Sequence, residues 1–259
     1  MELYLSRIIL NPLSKAVMHD LGSARQLHKT ISTCFPGIDG QADRPPHEKR
    51  TPRNVYKLLH RVDRKGGSTV LYVQSATRPD WNRLPSGYAS QADSKPVHEL
   101  YARIADGDHL QFRLTANPTK RIGKNLRDDA RYQRLDQSEQ DEFVRKFRDD
   151  KRRRRVAIYN EAERMSWLSR KGEAAGFRLA SVRVNDNVSN VTIVETSKVR
   201  VWRGRGDDPM TFGSVTFEGV LEVTDADRFR EALVKGIGTG KAYGFGLLSI
   251  APVRAASAG

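Results

Sequence analysis

One order of hydrophobic patterning, β-α-β-β-α-β, runs twice along this chain and restricts its fold more than any other feature. The first pass opens with "LYLSRIIL" (Leu3–Leu10), rich in strand formers and closed by Asn11-Pro12. "SARQLHKTISTCFPG" follows. Ser23 with Gln26 has the form of a capping box, Ala24, Leu27, Ile31, Cys34 and Phe35 recur at helical spacing, and Pro36-Gly37 stops the run. "VYKLLHRV" and "TVLYVQSA" around "DRKGGS" make a hairpin. A short helical piece near Asp80-Trp81 leads through "LPSGYASQADSKP" to "HELYARI", read as the fourth strand.

The second pass starts at "HLQFRLTANP", which alternates as a strand should. A helix is expected over about Ala157–Ala175, with Ile158, Ala162, Met165 and Leu168 along one face. "FRLASVRV", "VTIVETSKVRVWRG" and "TFGSVTFEGVLEV" read as strands, one more than the template needs. "DADRFREALVKGIG" is a helix starting near Asp225 and ending at Gly236 or Gly238, and "GLLSIAPV" supplies the last strand. The expected fold is α+β, two tandem ferredoxin-like domains, residues 1–105 and 106–259. A charged segment, about 122–155, interrupts the second domain, and its composition suits an insertion that is partly helical or mobile.

The charge narrows the partners. The 259 residues carry 45 basic and 31 acidic side chains, a net charge of +14, which favours polyanions. No apolar run approaches the roughly 20 residues of a spanning helix, and the start "MELYLSRIILNP" lacks the basic-then-apolar order of a signal peptide. A cytoplasmic protein bound to nucleic acid is expected. Single Cys34 excludes an internal disulfide, and the six histidines form no H-x-x-x-H pair, so neither a metal nor any other cofactor is expected.

His28 lies at the border of the helix's apolar face, near Arg25 and Ser32. Such an imidazole is either an ordinary surface histidine or a general acid or base, since its unperturbed pKa of roughly 6.5 suits proton transfer near neutral pH. The second role fits RNA cleavage by the RNA's own 2′-hydroxyl, which needs in-line orientation, proton movement and cations around the phosphorane. Arg25 and Lys29 are candidates for the cations, or else charges on a solvated face. Lys151, Arg152, Arg153, Arg154 and Arg155 form the densest basic run and are expected to grip phosphates; Lys120, Arg121, Arg170 and Lys171 are further candidates.

"GIGTGKAYGFG" places Gly236, Gly238, Gly240, Gly244 and Gly246 around Lys241. A phosphate-cradling G-x-x-x-x-G-K-[ST] fails, because Ala242 follows Lys241 and Lys235 stands where the first glycine belongs. A dinucleotide G-x-G-x-x-G lacks its third glycine. "KAYGFG" is closer to an RNA-binding aromatic motif, departing at Ala242 and Gly246. A structural turn, an RNA-phosphate loop and a nucleotide site therefore stay open. The loop is expected at the edge of the second domain, close to RNA phosphates or to the first domain, with the chemistry itself on the first helix.

Taken in order, "YLSRIILNP", "QLHKTIS", "DW", "LQFRLTANPTK", "NEAERMSWLSRKGEAAGF", "VTFEGVLEVTD" and "GIGTGKAYGFGLLSIAP" resemble the CRISPR-associated repeat endoribonucleases of type I-E systems, the CasE family of the RAMP superfamily. The resemblance runs along nearly the whole chain. It implies tandem ferredoxin-like domains and metal-independent cleavage of precursor CRISPR RNA beneath the repeat stem-loop. The products are a 2′,3′-cyclic phosphate and a 5′-hydroxyl, and the enzyme stays on the hairpin as a subunit of Cascade, the surveillance complex. It also implies that His28, in its Leu-His setting, is the catalytic histidine and that Gly236–Gly246 is the superfamily's glycine-rich loop. Members carry tyrosine three residues before that histidine, where this chain has Arg25. That substitution keeps open a hairpin-binding subunit without catalysis; a duplex binder using charge alone is a third alternative.

Overall fold

The computed structural model describes residues 2–37, 52–121, 132–148, 155–182, 185–201 and 210–253. Strands β1 (Tyr4–Leu10), β2 (Leu59–Lys65), β3 (Ser68–Ser75) and β4 (Ala89–Pro96) form one antiparallel sheet in the order β2-β3-β1-β4. Strands β5 (His109–Ala116), β11 (Val191–Val201), β12 (Met210–Val223) and β13 (Leu248–Pro252) form another in the order β11-β12-β5-β13. Both follow the sequence second, third, first, fourth, the ferredoxin-like order expected from the doubled pattern. The surplus strand has a place: β8 (Phe177–Leu179) pairs Leu221–Val223 of β12, beyond the stretch that β11 covers. A two-stranded ribbon of β9 (Ser181–Val182) and β10 (Asn185–Ser189) lies between β8 and β11 in the chain, and a short helix α3 (Pro52–Tyr56) precedes β2.

These elements belong to one compact unit, residues 1–117 with 169–259; residues 118–168 form a second. Within the larger unit, the first sheet is covered by α1 (Lys15–Leu21), which sequence patterning did not reveal, and α2 (Ala24–Thr33). Ile8, Leu10, Val17, Leu27, Ile31, Leu71 and Val73 meet in the core between them. The second sheet packs on α7 (Ala226–Lys235), where Phe177 lies 6.5 Å from Phe112 and 5.7 Å from Phe229 between ring centroids. Asp225 caps α7 by accepting from Arg228 N at 3.0 Å.

Two expectations are corrected. "HELYARI" is not a strand but contains α4 (His98–Ala102), since Val97, Tyr101 and Ile104, the buried positions, recur at helical spacing. The polar "ASQADSKP" forms the fourth strand instead. It is an edge strand, and such a strand needs only backbone pairing with β1 and a half-covered face, supplied here by Ser94, which bonds Ser6 and Trp81. The helix expected from Ala157 is α6 (Glu161–Ala174), delayed because Arg155–Ala157 is strand β7 and Asn160 provides the cap, accepting from Glu163 N at 3.0 Å.

In the smaller unit, β7 pairs antiparallel with β6 (Thr119–Arg121), and α5 (Gln137–Arg148) packs Phe143 and Val144 near Val156. Asp136 and Glu139 exchange side-chain-to-backbone bonds in a capping box that starts α5.

Arg61 joins the two sheets of the larger unit. Its guanidinium, 3% exposed, clamps Asp63 at 2.7 and 3.0 Å, donates to Ser249 Oγ at 2.9 Å and to the carbonyls of Arg113 and Leu247 at 3.3 Å, and lies over the Tyr72 ring. Gln74 adds a second tie, donating to Leu233 O at 2.7 Å. Removing the buried guanidinium leaves Asp63 with Arg113 alone and Ser249 and two carbonyls without their donor. Arg61→Met is therefore expected to cost about 3–5 kcal/mol in urea denaturation, whereas Glu231→Ala, at an exposed pair with Lys235, changes stability by less than about 1 kcal/mol.

Candidate functional site

Helix α2 presents the residues singled out for chemistry on one face. Ser23 caps α2 by accepting from Gln26 N at 3.5 Å, and Leu27 and Ile31 anchor it in the core. Arg25, His28 and Lys29 then fall at i, i+3 and i+4, with His28 half-buried and the two cations exposed. Ser32 Oγ donates to the His28 carbonyl at 2.7 Å. Cys34 is fully buried and burial pushes its thiol up to about 11, so it is a core side chain and not a nucleophile.

Across from His28 lies a residue that sequence reading passed over. The His60 ring, on β2, stacks on the His28 ring with centroids 5.8 Å apart and planes inclined by 24°. His60 is 2% exposed, and its Nε2 is buried without a hydrogen-bond partner among the described residues. Burial, reinforced by charge on His28, lowers its pKa to about 3. The sequence signal was faint: one histidine in the run "KLLHRV", which is buried on both faces of β2.

The glycine stretch closes this corner. Ile237 N donates to Gly246 O at 2.9 Å and Gly246 N to Thr115 O at 2.8 Å, tying the loop to itself and to β5. Gly246 has φ +89°, and a Cβ there would stand 2.7 Å from Ile237 O. Gly244, with φ +87°, brings the backbone beside His60; its Cβ would lie 3.5 Å from Nε2. The 3₁₀ turn Lys241–Tyr243 packs against α2 and β2. The loop was expected close to RNA phosphates or to the first domain, and it lies on α2 and β2 of that half of the chain. Gly236, Gly238 and Gly240 likewise take positive φ, while Lys241 Nζ donates to Lys235 O at 2.5 Å, at the end of α7.

Along the β2 edge a cleft of ≈ 720 Å³ opens, lined among others by Leu27, His60, Arg64, Lys198, Arg200 and Tyr243. Arg64, Lys198 and Arg200 are exposed cations of a kind that suits a phosphate backbone; none was singled out in the sequence. Arg170 is exposed and Lys171 half-buried on α6. In the smaller unit, Lys120 holds Glu163 at 2.8 Å, and Arg121 and Arg155 face each other across the β6–β7 ribbon, both exposed. Like charges so placed repel and favour an anion between them. Lys151, Arg152, Arg153 and Arg154 lie outside the described residues. Among the described residues, no group of three or more His, Cys, Asp or Glu is arranged to hold a metal ion, and no helix is long and apolar enough to cross a membrane.

A family model described as "CRISPR associated protein" matches residues 3–252. The chain belongs to this family. It is similar to the CRISPR-associated endoribonuclease Cse3 of Thermus thermophilus, 32% identical over 256 residues that cover 96% of this chain and 100% of Cse3. It is also similar to the Cascade subunit CasE of Escherichia coli, 32% identical over 255 residues, 97% and 100% of the two chains. Among solved structures, Cse3 bound to a 19 nt RNA superposes with a TM-score of 0.71 at 32% identity, covering 97% of this chain and 100% of that one. Cse3 on an RNA representing a pre-cleavage complex gives 0.70 at the same identity and coverage. This kinship makes the chain a type I-E CasE protein with the tandem ferredoxin-like fold of its relatives.

His60 has a measurable signature. Its folded pKa is below the unfolded value near 6.5, so the unfolded chain takes up a proton that the folded one refuses. The stability it allows is complete above about pH 6.5 and falls as pH drops toward 3, by about 1 kcal/mol per unit. In a ¹³C-histidine titration the His60 signal is expected to stay unchanged from pH 8 to 5.

Proposed function

We propose that this chain cleaves precursor CRISPR RNA at the base of the repeat stem-loop and then holds the hairpin as a Cascade subunit in the cytoplasm. The observation that carries this is kinship over nearly the whole chain with Cse3, named an endoribonuclease and solved with RNA in a pre-cleavage complex. The Cascade assignment is supported by the equally extensive match to CasE.

The chemistry runs through α2. The 2′-oxygen attacks the adjacent phosphorus in line, and the P–O5′ bond breaks. The 2′-hydroxyl proton passes to an imidazole acting as base, and the 5′-oxygen leaves with a proton supplied by an acid. His28, half-buried on an anchored helix, is positioned for one of these transfers. Arg25 and Lys29, one turn away and beside it, stabilise the dianionic phosphorane. Arg25 cannot act as the family's tyrosine does, since a guanidinium stays protonated; it serves as a charge. The reaction draws on no metal. The hairpin is gripped by Arg121, Lys151–Arg155, Arg170 and Lys171, and by Lys120 where RNA phosphate displaces Glu163 from it, with the glycine loop holding the corner beside α2.

The presence of Arg25 gives a second reading some support: a subunit that binds the hairpin without cutting it. One assay separates the two. Repeat RNA incubated with the protein in EDTA is expected to be cut, while His28→Ala lowers the rate by about 100-fold or more and a 2′-deoxy scissile nucleotide abolishes cleavage. Tight binding with no cleavage by the wild type selects the second reading, and cleavage of the 2′-deoxy RNA removes the proposed chemistry. In the same system, Arg121→Ala with Arg155→Ala is expected to flatten the salt dependence of binding, each lost phosphate contact reducing the log–log slope by about 0.9.

A further inference from the structure

This inference rests on His28 as the proton-transfer group and concerns what holds its ring. An imidazole accepts or donates a proton only in its own plane, along the direction of its nitrogen lone pair or N–H. The terminal torsion of histidine is broad and roughly two-fold, so a ring on a helix surface samples many planes unless something packs against its face. Something does here. His60 lies nearly parallel to His28, with 24° between planes and 5.8 Å between centroids.

His60 itself has little freedom. Its register partner on β3 is the buried Val73. Leu58 and Leu59, the residues before it, are also buried. On the remaining side the backbone of Gly244 comes close enough that a Cβ would meet Nε2 at 3.5 Å and Cδ2 at 3.7 Å. A ring that is 2% exposed offers almost no surface to RNA, although it borders the cleft. Burial also holds it uncharged at neutral pH. Its burial and its packing favour a mechanical part over a direct one in proton transfer.

We propose that His60 is the positioning residue for His28: wedged between β3 and the glycine loop, its ring fixes the plane of the His28 imidazole for proton transfer. The loop, the buried histidine and the helix then form a single support. The glycine at position 244 belongs to it, because the backbone beside the His60 ring takes φ +87°, a conformation that L side chains rarely adopt. The role asks for a flat, rigid ring, and not for the nitrogens of an imidazole.

The test is single-turnover cleavage of a repeat hairpin, with the dissociation constant of a 2′-deoxy hairpin measured in parallel, for wild type, His60→Ala, His60→Phe and His28→Ala. His60→Ala is expected to slow cleavage about 10- to 100-fold while hairpin affinity stays within about 2-fold. His60→Phe, which keeps the flat ring without its nitrogens, is expected to restore the rate to within about 3-fold of wild type. Wild-type rates for His60→Ala overturn the proposal. So does His60→Phe as slow as His60→Ala, which makes the imidazole itself necessary. Equal losses of affinity and rate in His60→Ala, recovered or not in His60→Phe, assign a purely structural role and overturn it too. Undiminished cleavage by His28→Ala overturns the reading of His28 instead, whatever the His60 variants do.

Discussion

The ion pair of Arg61 with Asp63 and its bonds to Leu247, Arg113 and Ser249 are what the arrangement around α2 depends on. A guanidinium with 3% exposure would be costly if any donor were idle. Here its fork grips a carboxylate, and its remaining bonds go to the strands of the other sheet. Arg113 belongs to the same network, reaching Asp63 at 3.4 Å and pairing with Glu218. The second sheet supplies acceptors to the buried Arg61, and its Arg113 shares Asp63 with that arginine. That reciprocity fixes β2 against β5 and β13.

From this follows the position of the glycine loop. It runs from the end of α7 to the start of β13, and Arg61 holds Leu247, just before β13, and Ser249 within it. The loop has nowhere to go except over the end of β2 and onto α2. Closing so short a path between a helix and a strand demands backbone in the left-handed region, and five glycines supply it at 236, 238, 240, 244 and 246. The motif that resembles a phosphate cradle thus lays main chain against His60. His60 in turn faces His28, the residue to which the chemistry is assigned.

Basic side chains divide into two kinds once their surroundings are known. Arg61 is a structural cation, fully committed to protein acceptors. Lys241 donates to the end of α7, and Lys120 is bound to Glu163. Arg121 and Arg155, facing each other on the β6–β7 ribbon, have the opposite character, since their mutual repulsion favours an anionic ligand. The net charge of +14 therefore overstates what is offered to RNA. Its effective part is local.

The doubled β-α-β-β-α-β pattern was legible because period and punctuation are local: Ser23 and Asp225 cap their helices, Gly236 ends one, and alternation marks β5 and β12. His28 at the border of an apolar helix face could be picked out for the same reason. "ASQADSKP" was misread because an edge strand takes its identity from its partner β1, not from its own composition. α1 escaped notice because so short a helix, directly after a strand, carries too little periodicity. Arg61, His60 and the cations of the β2 cleft were illegible as a group, since their partners stand up to 188 positions away in the chain. The sequence by itself determined most of the elements, the family and the helix to which the chemistry is assigned, all of which depend on neighbours within a few residues. Only the tertiary structure decided which histidine stands beside His28, which arginine is buried and what the glycines are for, because burial and pairing are set by contacts across sheets.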